Sequence, residues 1–144
     1  MPRTCWDTSP LVSAAIRRMG IPRQLLDFSI ARGLEIVVSP ATLDELRDVL
    51  GRPHIRRRYA ITDISTEEFI ASIEEYALTA PALIRIDAVP DDPSDNHVIA
   101  AAVETECDRI VTGDQHLLGL GSYLGILIVS PRTLFDHLQL LENT

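Results

Sequence analysis

The chain contains no lysine; all 13 of its basic residues are arginine. A P-loop nucleotide site, a Schiff-base enzyme and a Ser–Lys hydrolase each need a lysine, so all three are excluded. Cysteine is scarce. Cys5 and Cys107 are far apart in sequence, lack Cys-x-x-Cys spacing and sit in apolar contexts. They read as small buried hydrophobes rather than metal or redox groups. No apolar run is long enough to span a membrane. The opening MPRTCWDTS lacks the apolar core and small-residue cleavage site of a secretory signal, so a cytoplasmic protein is expected. Positive charge is also short: the net charge is −8. A generally basic surface for nucleic acid is therefore absent, and any such binding needs a local basic patch or metal ions at an acidic site.

What remains is a chain of 144 residues, 46% hydrophobic. That suits a single domain over 1–144 with one core. No internal repeat, low-complexity segment or linker interrupts it.

Strands are expected at 3–6, 34–38, 83–89 and 124–131, and a short strand and turn at 109–114, from short β-branched or alternating runs. Helices are expected at 9–19, 22–33, 40–50, 65–78 and 95–106, and after Ser130-Pro131. Gly33 serves as a C-cap residue. Ser39 with Pro40 starts one helix and Gly51 ends it. Ser65 and Glu68 form the capping-box pattern. The arginine-rich stretch 52–62 reads as a loop with a short helical turn. Strands alternating with helices imply an α/β fold with a parallel or mostly parallel sheet covered on both faces.

Ligands in such sheets sit outside the carboxyl ends of the strands. Asp7 follows the first strand and Asp114 follows RIVT. Asp91, Asp92 and Asp95 follow LIRIDAV. Helix angles, at about 100° per residue, sort the remaining acids. Asp44 and Asp48 point away from the apolar face of helix 40–50. Glu45 lies about 40° from Val49, on the margin of that face, where it either reaches inward or stays partly exposed without a function. Asp95 lies on the apolar face of its helix and His97 on the opposite side. Asp92 suits an N-cap before Pro93, and Asp91 a solvated neighbour. A carboxylate on the core side needs a further partner. Two such charges about 5 Å apart repel by roughly 3 kcal/mol at an effective dielectric near 20. Shared protons or a cation must relieve this. All-oxygen ligation suits Mg²⁺ or Mn²⁺. Such an ion lowers the pKa of water and stabilises phosphoryl charge, which is the chemistry of phosphodiester hydrolysis.

Four blocks, in this order, span nearly the whole chain: WDTSPLVSAAI, LEIVVSPATLDELRDVL, DDPSDNHVIAAAVETECDRIVTGDQHLLGL and GILIVSPRTLFDHL. Together they resemble a PIN domain, and more narrowly the PIN-family toxins of prokaryotic toxin–antitoxin pairs. The resemblance implies a three-layer α/β/α sandwich with a mostly parallel central sheet. It implies a Mg²⁺- or Mn²⁺-dependent ribonuclease acting on RNA, with a cognate antitoxin as partner and a homodimer or higher oligomer. The acids carried over are Asp7, Glu45, Asp95 and Asp114, as metal and catalytic residues. Thr8, Ser9, Asn96 and Thr112 are supporting polar neighbours. A one-residue shift would bring Asn96 to the place of Asp95; the inward wheel position of Asp95 favours the acid. The family usually has Asp-Thr-Asn at the first motif, and this chain has Asp7-Thr8-Ser9, with a shorter third side chain.

The other polar features have plainer readings. His97 and His116 each follow a site acid as Asp-x-His, yet surface histidines are the expected outcome rather than metal ligands. Arg52, Arg56, Arg57 and Arg58 form either a solvated charge run or an RNA phosphate contact; Arg17, Arg18 and Arg23 could assist. Trp6 and Tyr123 read as packing residues. A receiver-type phosphoacceptor needs a lysine and is disfavoured. A non-catalytic PIN-like interaction module and a metal-dependent phosphatase of small molecules are the remaining alternatives. RNA cleavage, metal binding and a small phosphomonoester separate them.

Overall fold

The computed structural model describes residues 2–89 and 93–143, with the backbone alone at 93 and 94. The expected roles of Asp91 and Asp92 lie outside the described residues. Six strands form one sheet: β1 (Thr4–Trp6), β2 (Ile36–Val38), β3 (Leu78–Thr79), β4 (Arg109–Val111), β5 (Ser122–Tyr123) and β6 (Ile126–Val129). Their order is β3-β2-β1-β4-β6-β5, all parallel except the edge strand β5. β5 and β6 form a hairpin through Leu124 and Gly125, both at positive φ (48° and 83°). Positive φ at both central residues is the two-residue turn that suits strand twist, and glycine at the second eases it.

The helices are α1 (Thr8–Ile16), α2 (Ile21–Ala31), α3 (Pro40–Leu50), α4 (Pro53–Tyr59), α5 (Asp63–Tyr76), α6 (Pro93–Glu104), α7 (Gln115–Leu120) and α8 (Pro131–Glu142). Caps set most of their starts. Ser39 accepts from the Thr42 amide and Ser130 from the Thr133 amide, each before a proline. Side chains alternate across the sheet with period two. Trp6, Ile36, Val38 and Val111 face a core filled by Leu11, Leu25, Leu46, Ile70 and Leu134, from α1, α2, α3, α5 and α8. Cys5, Val37, Ile110 and Ile128 face the other, filled by Val98, Ile99, Ala102 and Leu117, from α6 and α7. The expected three-layer α/β/α sandwich is therefore present. Among the described residues no helix is long and apolar enough to cross a membrane.

Both thiols are buried and free, as expected. Hydrogen bonding with Cys107 and burial push the Cys5 thiol well up, which keeps it protonated and unreactive. Trp6 is fully buried and donates its indole N–H to Thr4 Oγ1 at 3.1 Å, a packing role.

Several local expectations need correction. The first helix ends at Ile16, before Arg17. Residues 52–62 hold a true helix, α4, closed by Ala60 in the left-handed region. The capping box at α5 pairs Thr62 with Ser65, so the N-cap lies three residues earlier than the Ser65–Glu68 pattern implied. The short helix α7 was not foreseen.

The largest correction concerns 83–89, which forms no strand. The third strand is Leu78–Thr79, in what read as the end of the preceding helix. The chain leaves the sheet after Ala80, whose amide still bonds Val38 O at 2.9 Å, and Ala82 takes a φ of 60°. Side chains of α6 then replace the ladder. Glu104 accepts from the Ala82 and Leu83 amides at 2.8 and 2.7 Å. Asn96 accepts from the Val89 amide and donates to the Val89 carbonyl, both at 2.7 Å. Ile86, Ala88 and Val89 pack on the second core. Ile86 and Ala88 meet that core while Arg85 and Asp87 are exposed, so the alternation in LIRIDAV records the packing of a strap and not a sheet strand.

Candidate metal centre

β1 and β4 are paired neighbours, with Trp6 in register with Val111. Their carboxyl ends therefore open side by side, and the next residues are Asp7 and Thr112. The Asp7 amide bonds Val111 O at 3.0 Å and the Thr112 amide bonds Val129 O at 3.0 Å, so the ladder continues one step past the strands. Asp7 then caps α1, taking the Thr8 amide on Oδ1 at 2.7 Å.

Thr112 is fully buried between the two strand-end acids. Its hydroxyl donates to Asp7 Oδ2 at 2.7 Å and accepts from the Asp114 amide at 3.0 Å. One side chain thus fixes the Asp7 carboxylate and the turn that carries Asp114. Asp114 caps α7 in turn. Its Oδ1 takes the His116 and Leu117 amides at 2.8 and 3.1 Å. Ser9 ties the same turn from the other side, accepting from the Gly113 amide at 3.2 Å. Thr8, at the first position of α1, is buried, and its hydroxyl makes no hydrogen bond among the described residues.

Asp95 arrives differently. It follows the strap, not a strand end, and sits in the first turn of α6, only 4% exposed. Asn96 beside it is turned to Val89, and its amide also approaches Asp87 Oδ1 at 3.4 Å. The two neighbours therefore have separate tasks. Asp95 faces the centre and Asn96 holds the strap.

Asp95, Asp114 and His116 each offer one ligand atom, and these atoms all lie within 4.8 Å of one another. Around a small divalent cation with bonds of about 2.1 Å, ligand atoms lie about 3 Å apart when adjacent and about 4.2 Å when opposite. The three donors are close enough to share such an ion once their side chains draw in. Among the described residues Asp7 falls outside this group, linked to it through Thr112. Glu45 is exposed on α3 and also falls outside it. His116 is the residue that sequence reasoning set aside. Its signal was the Asp114-x-His116 spacing, which carries meaning only once α7 is seen to turn it back over Asp114. His97 stays on the exposed side of α6, as expected.

The arginine run lies elsewhere. α3 leaves the carboxyl edge at Ser39, and α4 begins beyond its far end, about 16 Å along the axis. Arg52 pairs with Asp48 at 3.0 Å, Arg56 pairs with Asp63, and Arg58 lies 5.5 Å from the Tyr59 ring centre. Arg57 is exposed. Arg17 sits at the far end of α1, about 15 Å along that helix from Asp7, not beside it. Arg18 and Arg23 line a cavity of about 490 Å³ with Tyr59, Thr66 and Phe69. That cavity lies away from the acids, and the chemistry of the donor set, not concave volume, marks the centre.

The PIN domain family model matches residues 3–116, from just before β1 to His116. The chain belongs to the PIN domain family, whose members are generally metal-dependent nucleases. The crystal structure of PAE2754 from Pyrobaculum aerophilum is similar in fold, with a TM-score of 0.62 and 19% identity over 96% of this chain and 90% of that one. No curated protein matches the chain.

Proposed function

Because the chain belongs to the PIN domain family, we propose that it is a Mg²⁺- or Mn²⁺-dependent ribonuclease that hydrolyses RNA phosphodiester bonds. We infer further that it is the toxin of a toxin–antitoxin pair, held inactive by a cognate antitoxin and working as a homodimer or higher oligomer in the cytoplasm. The observation that supports the catalytic reading is the convergence of Asp95 and Asp114 beside the Asp7–Thr112 bond, at the carboxyl edge of adjacent strands.

In this reading Asp95 and Asp114 would hold the cation, with Asp7 as a further carboxylate beside them, linked through Thr112. Glu45, exposed on α3, is assigned to the acidic site by the family resemblance alone. A bound divalent ion supplies a water of lowered pKa and stabilises charge on the phosphoryl oxygens. The protein's own part is orientation. Thr112 keeps Asp7 Oδ2 turned to the site, and the α7 amides occupy Asp114 Oδ1. Ser9, standing where the family usually has asparagine, braces the turn before Asp114. Arg57, exposed on α4, is left to contact RNA phosphate outside the site.

RNA cleavage with Mg²⁺ or Mn²⁺ tests the proposal, comparing wild type with Asp7→Asn and Asp95→Asn. Both variants and EDTA should abolish cleavage. Survival of cleavage in both variants, or indifference to EDTA, leaves the non-catalytic interaction module as the better reading. Co-purification with the product of the adjacent gene tests the toxin assignment separately.

A further inference from the structure

We propose that His116 is a ligand of this centre and that its imidazole biases the site towards Mn²⁺ over Mg²⁺. This rests on the metal-dependent reading above and deepens it, since carboxylates alone favour neither ion by donor type.

The geometry is carried by the backbone. His116 is the second residue of α7, and its amide is bonded to Asp114 Oδ1. Ligand and carboxylate are therefore locked into one turn. Its Nδ1 lies 4.0 Å from Asp114 Oδ1, too far for a hydrogen bond, so the ring is not spent on its neighbour. The ring is 77% exposed and makes no hydrogen bond among the described residues. It can turn about its side-chain bonds at little cost. Asp95 completes the triangle from another element, buried in the first turn of α6.

Donor chemistry sets the expected preference. Mg²⁺ takes oxygen ligands and keeps its waters. Mn²⁺ also takes carboxylates and is the weakest binder of the transition series, but it accepts an imidazole nitrogen more readily than the harder Mg²⁺. One nitrogen beside two carboxylates shifts the balance to Mn²⁺ without excluding Mg²⁺. His97, also two residues after an acid but on the exposed side of α6, provides the internal control.

The test is direct binding, read without RNA. Mn²⁺ affinity is taken from the electron paramagnetic resonance signal of free Mn²⁺, and Mg²⁺ affinity from competition. Wild type, His116→Ala, His97→Ala and Asp95→Asn are compared, with circular dichroism confirming each fold. His116→Ala should weaken Mn²⁺ at least about ten-fold, the lower end of what groups supporting metal ligands cost. Mg²⁺ binding should change much less, and His97→Ala should change neither. If Asp95→Asn abolishes binding while His116→Ala leaves the Mn²⁺/Mg²⁺ ratio intact, the His116 proposal fails and the nuclease reading stands. If folded wild type binds neither ion, both fall.

Discussion

Asp114 and Asp95 reach the same centre by opposite constructions. Asp114, like Asp7, follows a strand, and the parallel ladder of β1, β4 and β6 sets where its backbone emerges. Asp95 follows the strap, which has no ladder partner; side chains of α6 hold that strap to the helix. Position at the first approach is a property of the backbone. At the second it depends on Asn96 and Glu104. The first should therefore tolerate substitutions around it better than the second, except at Thr112.

The largest effect should come from removing charge at the strand end. Asp114→Asn keeps an N-cap, since asparagine caps as well as aspartate. Cleavage of RNA should fall more than about 100-fold, beyond the 10–100-fold that loss of a supporting outer group costs. Thermal stability should barely move. A large drop in melting temperature would show that Asp114 is structural first.

Thr112→Val should be next. It leaves Asp7 Oδ2 without its 2.7 Å donor and the Asp114 amide without its acceptor, in a fully buried place. Stability should drop by about 1–3 kcal/mol in denaturant titration, and cleavage should fall with it. Thr112→Ser, which keeps the hydroxyl, should restore cleavage. Failure of that rescue would remove Thr112 from the site.

Asn96→Ala probes the strap. Two hydrogen bonds to Val89 are lost, costing about 1–2 kcal/mol. The Val89 amide should exchange with solvent much faster, while amides of β1 and β4 keep their protection. Uniform loss of protection would deny that the strap opens by itself. Glu104→Ala should give the smallest effect. Its bonds to Ala82 and Leu83 are exposed, so stability should fall by less than about 1 kcal/mol, with faster exchange confined to those two amides.

The sequence carried most of the frame. Ser39-Pro40 and Ser130-Pro131 mark helix starts that the structure confirms, because a cap and a proline act within one turn. The short β-branched runs at Val37 and Ile110 are strands, since a central strand covered on both faces reads as a continuous apolar run. LIRIDAV misled because alternation records which side chains are half buried, and a strap on a core has the same period as a strand. Leu78–Thr79 escaped notice because two residues carry no period at all.

The sequence by itself determined the lysine-free, acidic chemistry, the alternation of strands and helices, and the placing of Asp7 and Asp114 just after strands. These follow from local rules of period, cap and turn. Only the tertiary structure decided which remote groups meet. Strand order set β1 against β4 and so joined Asp7 to Asp114 through Thr112. The docking of α6 and the turn into α7 brought Asp95 and His116 to Asp114. Glu45, marginal on the helical wheel, was left in solvent, because a wheel angle fixes direction about one axis and not the distance to another element.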